Sequence, residues 1–209
     1  MELRKCKPNK NYVNKDSAYR VWLNESEQEQ LMNETEKRER ISVGLMLHSG
    51  LRSAEVPHVR PTDIEATETD SGTNLAVLQV RKGKDTRGYG GSNRKTIIPS
   101  SYYGSVKFYC DMVEVEDNEP IIPRTPRTVK RDVKKVVERL EQSTGNSDWN
   151  KVSAHDLRRS WGHRLLIQKN MNPHKLMALG GWNDLDTMMR YISIPTEEQL
   201  IEEWDRVMG

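Results

Sequence analysis

Three short stretches of this chain hold residue types whose chemistry is complementary. In Ser153-Ala154-His155-Asp156-Leu157-Arg158-Arg159 the pairing of Ser153 with Asp156 is a helix-start pattern, which puts His155 and Arg158 at i and i+3 on one face with Arg159 beside them. That geometry suits a phosphate: guanidinium offers a planar fork of donors, and imidazole takes or gives a proton near neutral pH. Upstream lies His48-Ser49-Gly50-Leu51-Arg52-Ser53-Ala54-Glu55, in which Gly50 ends a helix and Arg52 enters the next turn with Glu55 one turn on. Downstream come Leu179-Gly180-Gly181-Trp182 and then Arg190-Tyr191. Each stretch alone has a plainer reading: a surface patch for the first, a helix-start ion pair for the second, half-buried packing for the tyrosine.

The elements that must position them are mostly helical. Residues 1–24 show no periodicity and read as an arm or truncated linker, which places a boundary near residue 20. Ser26 with Glu29 reads as a capping box, and Leu31, Ile41, Leu45 and Met46 predict one or two helices up to Gly50. A short helix follows Arg52 until Pro57 and Pro61 break it, and residues 70–73 form a turn. Leu75 to Arg81 and Lys95 to Pro99 read as two strands of a β-hairpin with a long, basic, glycine-rich tip through Gly88 and Gly91. Thr125 caps a helix with Pro126 at its first position and Val129, Val133, Val136, Val137 and Leu140 along one face. The helix opened at Ser153 runs to about Asn170, Asn172-Pro173 starts a short one that Gly180-Gly181 ends, and Asp184 or Asp186 caps a turn up to Tyr191. A last amphipathic helix over 196–208 presents Leu200, Ile201, Trp204 and Val207, to its own domain or to a neighbour. The expected fold class is mainly α with one small antiparallel sheet, an α+β domain over 21–209.

Composition bounds the function. At 209 residues, 34% apolar and 31% charged, the chain suits one domain, and no apolar run reaches the roughly 18 residues of a membrane span. A cytoplasmic, nucleoid-associated protein is expected. Cys6 and Cys110, without CxxC spacing or a nearby histidine pair, indicate neither a disulfide framework nor zinc. The net charge of +2 conceals segregation. Residues 81–95 carry Arg81, Lys82, Lys84, Arg87, Arg94 and Lys95 against Asp85, a balance of +5. Residues 124–139 carry seven bases, Arg127 and Lys130 among them, against Asp132 and Glu138, again +5, and residues 151–175 carry six against Asp156. If these segments converge, a polyanion is the natural partner. The alternative is three separate solvated faces.

Taken in order, GLRxxE, a hairpin lysine, HxLR, LGGW and a tyrosine near the end resemble the catalytic domain of the tyrosine recombinase (phage integrase) family over about residues 16–200. The resemblance implies that family's fold and names Arg52 and Arg158 as phosphate-binding arginines, His155 as the motif histidine and Tyr191 as nucleophile. Trp182 stands where many members have a second histidine, Glu55 at a supporting acidic position, and Lys84, which directly follows a glycine, or Lys82 two residues earlier, at the hairpin lysine. Arg81, Arg87, Arg94, Lys95, Arg127, Lys130 and Arg159 are candidate DNA contacts.

The chemistry so implied is strand transfer. Tyrosine attacks poorly at its free pKa of about 10, so a proton acceptor and a preorganised positive site are needed. The resemblance implies His155 for the proton, the two arginines for the phosphorane, and Lys84 as the acid on the leaving 5′ oxygen. It implies no metal and no cofactor, and only Glu55 lies close by as a carboxylate. The expected partner is a double-stranded DNA attachment site, occupied by a homo-oligomer, a tetramer on DNA, from a protein that is monomeric when free. Relaxation of supercoils by the same chemistry and a noncatalytic DNA-binding module are the competing readings. Members commonly carry a helical domain ahead of the catalytic one, so the resemblance implies a fragment or a minimal enzyme.

Overall fold

The computed structural model describes residues 1–5, 19–81, 93–192, 195 and 197–208. Two antiparallel sheets and eight helices are seen among them. The first sheet pairs β1 (Glu2–Lys5) with β2 (Tyr19–Trp22) in the register Leu3 to Val21, so part of the stretch read as an arm is a β-ribbon. Its two strands are distant in sequence and too short to show alternation.

Helix α1 (Glu25–Asn33) starts slightly before the predicted cap: Asn24 accepts from the Glu27 amide and Glu27 reaches back to the Asn24 amide. Helix α2 (Lys37–Ser49) is buried nearly all round and ends at Gly50, whose φ of 66° lies in the left-handed region. A Cβ there would also collide with the ring of Trp161, so both backbone and packing demand glycine. The helix expected after Arg52 is a turn followed by a 3-10 segment at Val56–His58.

The second sheet has three strands in the order β3 (Ile64–Glu68), β4 (Asn74–Val80), β5 (Arg94–Pro99), all antiparallel. The predicted hairpin is β4–β5, with Gln79 opposite Lys95. Strand β3 escapes sequence reading because it buries almost nothing. Helix α3 (Ser100–Met112), also unpredicted, anchors through Tyr102 and Val106.

Helix α4 (Pro126–Thr144) has the predicted Thr125 cap and Pro126 start, and its valine face packs into the main core with α2. Helix α5 (Ala154–His163) continues as a π-helical turn to Gln168 and packs across α2 and β2. Helices α6 (Pro173–Gly180) and α7 (Leu185–Met189) come next, α7 capped by Asp184. Trp161, Leu176, Trp182 and Met188 form a small second core under the chain leading to Tyr191. Helix α8 (Glu197–Met208) does not fold back: Leu200, Ile201, Trp204 and Val207 are all exposed. No helix among the described residues is long and apolar enough to cross a membrane.

Candidate functional site

The C-terminal ends of α2 and α6 meet the first turns of α5, and arginines join them. Arg158, fully buried, donates through one terminal nitrogen to Gly50 O and through the other to Gly180 O. Arg52 donates to the next carbonyl, Gly181 O, at 3.1 Å and to Glu55 Oε1 at 2.7 Å, while its amide donates to Glu55 Oε2 at 2.7 Å. Two guanidiniums are thereby fixed against consecutive carbonyls of one glycine pair. Gly180 is required, because a Cβ there would overlap the Trp182 ring.

The arginines are aimed by the network around them. Arg94 enters from the start of β5, donating to both oxygens of Glu55 at 2.7 and 2.9 Å and to Leu179 O at 2.9 Å. Asp156 accepts from the Ser153 amide and hydroxyl at 2.9 and 2.6 Å, fixing the start of α5, and also pairs with Arg159. Tyr191 sits within this frame, its ring centroid 5.0 Å from His155 and 4.9 Å edge-on from Trp182, with Arg158 Cζ 5.7 Å away. Trp182 stacks on Trp161 at 5.9 Å and lies 4.6 Å from Arg158 Cζ.

Electrostatically the cluster is unbalanced. Burial first, then the neighbouring charges of Arg52 and Arg94, press the Arg158 guanidinium down to about 9. His155 has an exposed side chain, yet desolvation beside the cluster, and then the charges of Arg159, Arg158, Arg52 and Arg20, hold it down to about 3. It is therefore neutral at pH 7. Burial would raise the Glu55 carboxyl, yet hydrogen bonds and charge from Arg94, with the charge of Arg52, leave it lowered. Two buried donors, Arg158 Nε and Trp182 Nε1, have no hydrogen-bond partner among the described residues. A buried polar group without a partner is costly, and surplus positive charge with open donors is how a protein prepares for an anion.

Arg52, Glu55, His155, Arg158, Trp182 and Tyr191, predicted from sequence, come together here. Lys82, Lys84 and Arg87 lie outside the described residues. Arg94 and Arg159, named among the candidate DNA contacts, are both buried, Arg94 on Glu55 and Arg159 on Asp156 with its Cζ 5.5 Å from the Trp22 ring. The signal for Arg94 was available, since alternation along β5 puts it on the inward side with Thr96 and Ile98. Arg81 is exposed and paired with Asp63, whereas Lys95, Arg127 and Lys130 are exposed. Sequence reading missed Trp22, whose indole reaches Tyr191. No group of three metal-ligating side chains occurs among the described residues.

The model of the phage integrase family matches residues 21–198. The chain belongs to the phage integrase family. Solved structures agree in fold. The XerA recombinase superposes with a TM-score of 0.70 at 18% identity, over 90% of this chain and 65% of its own. The Tn1549 transposon integrase in complex with transposon right end DNA gives 0.63 at 13%, over 90% and 66%. A λ integrase dimer bound to a COC′ core site gives 0.54 at 16%, over 82% and 59%. This phage integrase family chain thus spans less than two thirds of the length of each of these structures. No curated protein sequence matches it.

Three histidines, His155 of the site with His48 and His163 elsewhere in the fold, carry a pH dependence whose sign is fixed. His48 is lowered to about 4 by burial, then by Arg164 and Arg40, His155 to about 3, and His163 is lowered by burial. Unfolded, each binds a proton near pH 6.5, so below that value the unfolded state holds more protons and stability falls with pH. The thermal midpoint is expected to drop between about pH 7 and 5, and the slope to shrink in His48→Gln. A midpoint flat across that range contradicts this assignment.

Proposed function

We propose that this chain is the catalytic part of a site-specific DNA recombinase or integrase that cleaves and rejoins DNA through a 3′-phosphotyrosyl intermediate. The observation that carries the reading is that His155 and Arg158 both lie beside the Tyr191 ring, while Arg52 is held next to Arg158 on the same glycine pair. A scissile phosphate held there accepts from the two arginines and from Trp182 Nε1. Tyr191 Oη attacks phosphorus as its proton passes to His155, and the P–O5′ bond breaks as the 5′ oxygen takes a proton from Lys84. The arginines neutralise the charge that builds on the non-bridging oxygens. Trp182 donates a hydrogen bond but transfers no proton. The phosphotyrosyl ester conserves the bond energy, so a second 5′ hydroxyl rejoins the strand without ATP and without a metal ion.

The partner in this reading is duplex DNA, with the exposed bases of α4 on its phosphates, where each contact adds salt dependence. Several copies assemble on the site, a tetramer for exchange, and exposed α8 is the helix available to a neighbour. Sedimentation of the DNA complex measures that stoichiometry.

The test is incubation with nicked duplexes from DNA flanking the gene, in chelator and without ATP, then a denaturing gel. A protein band shifted by covalently held DNA is expected, with exchanged strands when two sites are present. Relaxed circles without exchange would assign topoisomerase activity, and binding without an adduct a noncatalytic module. The hairpin acid is tested separately. Lys84→Ala is expected to slow cleavage of normal DNA about 100-fold and to regain most of the rate on a 5′-sulfur substrate, whose leaving group needs no proton. Rescue confined to Lys82→Ala would move the role to Lys82.

A further inference from the structure

The stretch that carries Tyr191 packs on the second core through Met188, with Ile192 also buried, but has little regular structure of its own. Helix α7 has only five residues, and Tyr191 lies beyond its end, its amide donating to Met188 O at 2.8 Å. So short a helix does not define a position by itself. Its backbone carbonyls are held from β2. Trp22, on β2, is 3% exposed, and its indole N–H donates to the carbonyl of Tyr191 at 2.8 Å. Arg20, on the same side of the strand, donates to the carbonyl of Arg190 at 3.4 Å.

The strand is itself fixed to α5. Val21 N–H donates to Asp156 Oδ1 at 3.0 Å and Leu23 N–H to Ser160 Oγ at 2.9 Å. Its main chain is therefore bound to the helix bearing His155 and Arg158, while the side chains of Arg20 and Trp22 hold the two carbonyls at Tyr191. The guanidinium of Arg159 lies over the indole, 5.5 Å from ring centroid to Cζ, and steadies its plane.

We propose that Trp22 is a positioning residue: its indole N–H, anchored through β2 to α5, sets the place of the Tyr191 phenol relative to His155 and Arg158 of the same chain. The role rests on the reading of Tyr191 as nucleophile. Attack requires Oη within about 3.5 Å of phosphorus and in line with the leaving oxygen, and a displacement of about 1 Å costs up to about 100-fold in rate. The Tyr191 carbonyl is two bonds from the Cα that bears the phenol, so freeing it frees the nucleophile without touching a phosphate ligand.

Two variants separate the donor from the ring. Trp22→Phe removes both the N–H and part of the ring, whereas Trp22→benzothienylalanine keeps the ring outline and replaces the N–H by sulfur. Three quantities are compared with wild type: the single-turnover rate of adduct formation on a nicked duplex at saturating protein, duplex affinity, and amide hydrogen exchange at 190–192. Both variants are expected to form adduct about tenfold more slowly or worse, to keep duplex affinity within about twofold, and to exchange faster at 190–192. A benzothienylalanine protein that reacts and exchanges like wild type would overturn the proposal, because the ring would then be filling space only. Should Trp22→Phe not fold, the isosteric variant decides alone. Should wild type form no adduct, the phosphotyrosyl reading fails, and exchange at 190–192 still decides the clasp: faster exchange in the isostere upholds it, unchanged exchange removes it.

Discussion

Tyr191→Phe is expected to bind duplex DNA with wild-type affinity and to leave no protein linked to DNA on a denaturing gel, a complete loss rather than a reduction. The substitution removes only the phenolic oxygen. The ring contacts remain, with His155 at 5.0 Å, Trp182 at 4.9 Å and Arg158 at 5.7 Å, so the arginines proposed to bind phosphate keep their frame and stability changes little. Phenylalanine has no nucleophilic atom, and no partial function survives its introduction. Tyr102 is not an alternative donor of the bond: it is 2% exposed, its hydroxyl donates to the carbonyls of Arg40 and Ile41, and burial pushes its pKa far up. An adduct persisting in Tyr191→Phe would assign the nucleophile to another residue and, with it, remove the proposed roles of Trp22 and His155.

Helix boundaries set by local chemistry were legible in the sequence. Thr125-Pro126, Ser153 with Asp156, Asn172-Pro173 and the glycines at 50 and 181 lie beside the backbone groups they satisfy, and all act where they were expected. Elements that depend on distant partners were not. Strands β1 and β2 pair across residues 6–18, β3 exposes four of its five residues, and α3 begins at Pro99 without a side-chain cap. The site divides in the same way. Arg52, His155, Arg158, Trp182 and Tyr191 are carried by compact motifs, whereas the ion pairs of Arg94 and Arg159 were not legible, because counting charge does not reveal which way a side chain points. Register along β5 would have turned Arg94 inward, while nothing local links Trp22 to a carbonyl 169 residues away.

Arg94→Met is expected to destabilise the fold by about 3–5 kcal/mol, the cost typical of stripping one partner from a buried ion pair. Glu55 is 2% exposed and accepts four hydrogen bonds, two of them from Arg94 and two from Arg52. Without Arg94 the carboxylate remains buried with half its donors gone, and methionine offers it only apolar surface. The loss should be smaller in Arg94→Met with Glu55→Gln than in Arg94→Met alone, because the amide needs less compensation than the anion, and the double-mutant cycle in urea measures that coupling. The lowered Glu55 pKa gives a second signature. A carboxyl held below its unfolded value adds stability that is present above about pH 4.5 and lost as pH falls through the folded pKa, so Arg94→Met should weaken this acid sensitivity. Activity should fall with stability, since Arg94 also holds Leu179 O, beside the glycine pair whose carbonyls orient Arg52 and Arg158, and opens the strand that returns from the stretch carrying Lys82 and Lys84. A loss below about 1 kcal/mol, the level of an exposed pair, would mean that Glu55 is adequately held by Arg52 alone and that Arg94 serves the hairpin rather than the carboxylate.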